Sequence, residues 1–131
     1  MSKVHAADAR RKRLFSSATL ERKIAALFPG GREAEARATL SRLDHMSGFW
    51  KPETAEGNRV AVKLRVLYLS GPDLGALGRA VDLALEDHRD LDMVTETPLR
   101  YASEWTGTRD QVRDAPDGHP AYEQLLAWLE A

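Results

Sequence analysis

Breaks in the chain constrain its fold more than any other feature. Pro29-Gly30-Gly31, Ser47-Gly48, Ser70-Gly71-Pro72 and the stretch from Thr106 to Pro120 interrupt it, leaving pieces of helix length between them. Proline cannot donate the next backbone hydrogen bond, and glycine takes the left-handed conformation in which helices commonly end. Ahead of the first break, Leu20, Ile24, Leu27 and Phe28 share one helical face, with Thr19 as the expected cap. After it, residues 32–46 open with acidic residues, which suit the positive end of a helix, and space Ala36, Leu40 and Leu43 for burial. The segment from Phe49 to Gly57 contains Pro52 and little period, and reads as a connection pinned to the core by Phe49 and Trp50.

Residues 59–69 admit two readings. Val60, Val62, Leu64, Val66 and Tyr68 alternate as in a strand. At helical spacing, Val62, Val66 and Leu69 form one apolar face and Val60, Leu64 and Leu67 the opposite one, with Arg59, Lys63 and Arg65 between them. The helix is preferred, because eleven residues are long for a strand, Asn58 suits a cap and Ser70-Gly71 suits a stop. Asp73 caps the next helix, in which Leu74, Leu77, Val81, Ala84 and Leu85 form the buried stripe and Arg79, Asp82, Glu86 and Arg89 face away. Pro98 breaks its continuation, and Leu99 to Trp105 can resume it. A last helix, residues 121–131, turns Tyr122, Leu125, Leu126 and Leu129 toward the core. The expected fold is all-α, an irregular bundle of about five helices, with residues 1–17 as a basic N-terminal arm or frayed helix start and 18–131 as a single domain.

Composition removes several function classes. With 131 residues, 43% of them hydrophobic, the chain can bury a core without staples. It has no cysteine, which excludes disulfide frameworks, thiolate nucleophiles and thiolate metal sites. No apolar run has the length of a membrane span, and the opening residues lack the apolar stretch of a secretory signal. Their Arg, Ser and Ala content is that of a transit peptide, but Asp8 and Glu21 argue against one, so the expected address is the cytoplasm. The net charge of −1 conceals a basic opening and an acidic stretch from 71 to 98.

The segments VKLRVLYLSGPDLGAL, 62–77, and DHRDLDMVTETP, 87–98, resemble a group of small bacterial proteins of unknown function. In that group an apolar helix ends Leu-Ser-Gly-Gly-Asp-Leu, and an Asp-Tyr-Arg-Asp-Val-Leu stretch follows before Glu-Tyr-Pro. Leu69, Ser70, Gly71, Asp73 and Leu74 match the first part and Asp87, Arg89 and Asp90 the second. Pro72 stands where the group has glycine, and His88 and Thr97 where it has tyrosine. The likeness spans roughly residues 34–98; it implies a bacterial origin and carries no activity or catalytic residue with it.

Candidate chemistry is sparse. Asp82, Glu86, Asp87, His88, Asp90 and Asp92 are the densest group of hard-cation ligands, but carboxylates along one helix are ordinarily its solvated side, and no partner motif completes a cage. His5, His45, His88 and His119 are scattered, and Asp44-His45 and Asp87-His88 are neighbours that do not face each other on a helix. Gly30-Gly31 before a helix is explained as a turn rather than as an anion site. No nucleophile elbow, phosphate loop or dinucleotide fingerprint occurs. No catalytic residue, metal or cofactor is therefore assigned. The leading expectation is a non-enzymatic binding or regulatory module whose charged helical surface (Arg79, Asp82, Glu86, Asp87, Arg89, Asp90) meets a protein partner or a second copy. The alternative is a nucleic-acid-associated protein using Arg10, Arg11, Lys12 and Arg13, whose nearest attractive surface is otherwise the protein's own acidic helix. A small carboxylate-metal protein or enzyme comes third.

Overall fold

Helices fill the described residues, which are 3–45, 52–86 and 120–131 of the computed structural model. They are α1 (Lys3–Leu14), α2 (Ser17–Leu27), α3 (Arg32–Leu40) followed by a 3-10 turn at Ser41–Leu43, α4 (Pro52–Ser70), α5 (Leu74–Glu86) and α6 (Pro120–Glu130). The chain is thus all-α, with no strand among the described residues. The expectations for Phe49 and Trp50, for residues 87–105 and for the loop up to His119 fall outside the described residues.

The helix over 59–69 forms, and its two apolar stripes explain why it reads ambiguously. Val62 and Val66 are buried on one side and Leu64 and Leu67 on the other, with Val60 and Leu69 packed against the core. Sheathed on both faces, α4 packs most extensively against α5 and also against α2, while α3 packs on α5 and α2 and α1 on α6. Its start lies upstream of the expected cap. Pro52 opens it, a position where the missing N–H would have no partner anyway, so Asn58 is an interior residue and 52–57 are helix rather than connection. Its end is as expected: Gly71 takes φ 56° and donates to the Leu67 carbonyl, and Ser70 Oγ donates to the same carbonyl.

Other boundaries shift for local reasons. Ser16, not Thr19, caps α2, its Oγ accepting from the Thr19 amide at 3.3 Å, and Thr19 is buried one turn inside. The helix predicted over 32–46 is α-helical only to Leu40, then tightens so that Leu43 still reaches the core. Asp73 caps α5 as expected, accepting from the Ala76 amide at 3.0 Å, and this bond holds its carboxyl below the usual range. In α5, Leu77, Ala80, Val81 and Ala84 are buried, whereas Leu85, expected in that stripe, is 43% exposed because it lies at the stripe's edge.

The expected N-terminal arm is a helix from Lys3 to Leu14. Its sequence, KVHAADARRKRL, contains strong helix formers and no glycine or proline, yet carries almost no apolar period, so periodicity does not reveal it. Leu14 anchors it in the core and Phe15 packs beside it. Leu64→Ala is expected to cost about 2–5 kcal/mol, and Leu85→Ala to stay within about 0.5 kcal/mol. Urea denaturation of the two variants compares them, and equal losses would contradict a doubly buried α4.

Candidate functional site

Two charged surfaces rise from this framework. The first is the outward side of α5. Arg79, Asp82 and Glu86 are all exposed there, as their helical spacing requires, and Leu85 stands at its rim. Asp82 is engaged within the chain by Arg42 at 2.7 Å, a contact forty residues apart in sequence. Asp87, Arg89 and Asp90, assigned to the same surface, fall outside the described residues, as do His88 and Asp92. Among the described residues no three of His, Asp and Glu converge on one point.

The second surface is built by α1, and the helix divides its basic run between two faces. Arg10 reaches Glu123 at 3.3 Å and Glu130 at 3.4 Å on α6, and Arg13 reaches Glu130 at 3.1 Å. Among the described residues these two cations thus pair with acids of α6, in partly exposed contacts. Arg11 and Lys12 turn another way and line a cleft against the first half of α4, together with Phe15, Asn58, Ala61 and Arg65. Gly57 completes the rim, with open space where a side chain would stand.

Arg65 forms part of this cleft although it is only 6% exposed. Its guanidinium carbon lies 4.8 Å from the centre of the Phe15 ring, a cation–π contact worth roughly 0.5–2 kcal/mol. Sequence spacing put Arg65 between the two apolar faces of α4. A charged residue there has apolar neighbours on either side in any packed arrangement, and that was the available signal. The neighbour across the gap, Phe15 just past the end of α1, had none.

The seat of α6 contains a second buried cation. Lys23 is 6% exposed and its Nζ sits 4.4 Å from the centre of the Trp128 ring, which meets Tyr68 edge-on at 5.2 Å. Nearby, Arg22 Nη2 donates to the Leu129 carbonyl at 2.6 Å, satisfying a backbone oxygen at the helix end. Burial, and then the charge of Arg22, push the Lys23 ammonium below its usual pKa. No family model matches the chain, and neither curated proteins nor solved structures yield a match.

A base whose folded pKa is depressed holds its proton less firmly than in the unfolded chain. It therefore weakens the fold at neutral pH, and the penalty is relieved as pH rises through the depressed value toward 10.5. Lys23→Met keeps a long flexible stem against Trp128 without the charge, and replacement of a buried charge by an apolar group is often neutral or stabilising. The variant is expected to be at least as stable as the parent at pH 7 and to lack the parent's alkaline gain. Denaturant midpoints between pH 7 and 10 test both; a loss above about 2 kcal/mol at pH 7 would mean that the cation–π contact outweighs desolvation.

Proposed function

We propose that the chain is a small non-enzymatic binding module of the cytoplasm, bacterial like the group it resembles, and that it binds a protein chain through the outward side of α5. The observation that carries this reading is the charge order along that side. Arg79 and Glu86 have opposite sign and are equally distant from the midpoint between Asp82 and Leu83. A second copy laid antiparallel about a two-fold axis there sets Arg79 of each helix against Glu86 of the other, so the face is complementary to itself.

Two further features fit. Asp82 lies next to the axis, where two bare carboxylates would repel, but each is already met by Arg42 of its own chain. Gly78 has open space above its α-carbon, so a neighbouring helix can approach closely, and Leu85 gains cover at the edge. Exposed ion pairs are worth about 0–1 kcal/mol apiece, so this association is weak and sensitive to salt. No helix among the described residues is long and apolar enough to cross a membrane.

Light scattering of the purified chain at low and high salt reads the mass directly. A dimer is expected at low salt, a monomer for Arg79→Glu, and a dimer again for Arg79→Glu combined with Glu86→Arg. A parent protein that stays monomeric at millimolar concentration and low salt would overturn the self-association reading.

A further inference from the structure

We propose that Lys23, on the side of α2 that meets α6, is a modification site at which the side-chain amine attacks small acyl phosphates and becomes acylated. The site is separate from the outward side of α5 and does not depend on self-association. The Lys23 side chain is buried to 6% exposure, and among the described residues its Nζ has neither a hydrogen-bond acceptor nor a carboxylate partner, yet it is not closed off from water. Its contact is the Trp128 ring, whose centre lies 4.4 Å away. The titratable groups on the helices packed around it do not supply a counter-charge. Glu123 and Glu130 of α6 are taken by Arg10 and Arg13, Tyr68 of α4 meets the Trp128 ring edge-on, and Arg22 has the same sign as Lys23.

An amine in apolar surroundings beside another cation gives up its proton more readily, and only the unprotonated form is a nucleophile. Burial and the charge of Arg22 act on Lys23 in that direction. The Nζ lone pair attacks the acyl carbon, the bond from that carbon to the phosphate oxygen breaks, phosphate leaves with the electron pair, and the amine's proton passes to water. The product is a neutral amide, so the reaction removes a buried charge and breaks no ion pair. The other lysines are placed differently. Lys63 is held by Asp44, Lys12 is exposed, and the side chains of Lys3 and Lys51 lie outside the described residues.

Incubation of the full chain with acetyl phosphate at pH 8, followed by peptide mass spectrometry, reads the rate at each lysine. Lys23 is expected to react at least about threefold faster than exposed Lys12 in the folded chain, because more of it is unprotonated. In 8 M urea both are expected to react within about twofold of each other, since the environment that sets Lys23 apart is then gone. Trp128→Gln removes the ring and lets water reach the amine; it is expected to slow acylation of Lys23 toward the rate of Lys12, with circular dichroism confirming that the helices remain. Acylation of Lys12 as fast as Lys23 in the folded chain, a preference for Lys23 that persists in urea, or faster acylation of Lys23 in Trp128→Gln, which would mean that the ring only shields the amine, would each overturn the assignment.

Discussion

The most extensive packing among the described helices, α4 against α5, depends on α4 being apolar on two sides at once. A helix with a single stripe needs one neighbour, whereas α4 presents Val62 and Val66 one way and Leu64 and Leu67 the other, and all four are buried. Burial of such side chains contributes about 1.5–3 kcal/mol each, far more than any single ion pair on the surface. The left-handed turn at Gly71 then reverses the chain so that α5 returns along α4, and the Arg32 guanidinium, donating to the Pro72 carbonyl at 2.5 Å, ties α3 to that turn.

The two ends of the chain meet by a different balance. Leu125, Leu126 and Leu129 bury α6 in the core, so apolar burial supplies its attachment. Arg10 and Arg13 meet its glutamates in partly exposed pairs whose energies are small; their effect is to choose the angle and register of α6 against α1. Arg22 and Lys23 act from α2 at the other edge, one on a backbone carbonyl and one on the Trp128 ring. Cations from two helices therefore surround a C-terminal segment whose own charges, Glu123 and Glu130, are acidic.

What was legible in the sequence was whatever is local. The Ser70-Gly71 stop, the Asp73 cap and the centre of the α5 stripe, Leu77, Val81 and Ala84, depend on residues within a few positions of one another, and each stands where spacing predicts. The helix over 59–69 could be chosen over a strand on length and capping, although its true cap region lay upstream, because Pro52 reads as a break when it opens a helix from outside. What was not legible depends on partners far along the chain. The α1 helix has no stripe of its own, and the contacts of Arg10 span 113 and 120 residues. Nor does any local pattern bring Phe15 to Arg65.

The basic run shows why this distinction matters for function. Read as an extended arm, Arg10, Arg11, Lys12 and Arg13 are interchangeable charges whose natural ligand is any polyanion. Wound into a helix, residues three apart share a face while adjacent ones diverge by about 100°, so Arg10 and Arg13 fall together toward α6 and Arg11 and Lys12 turn aside toward α4. Phe15, four residues beyond Arg11, follows it to the same side and brings Arg65 into the group. Secondary structure alone thus converts a nonspecific charge run into one pair that orients the fold and another that lines a cavity. The number of cations in such a segment is therefore a poor guide to its affinity for nucleic acid until its conformation is known.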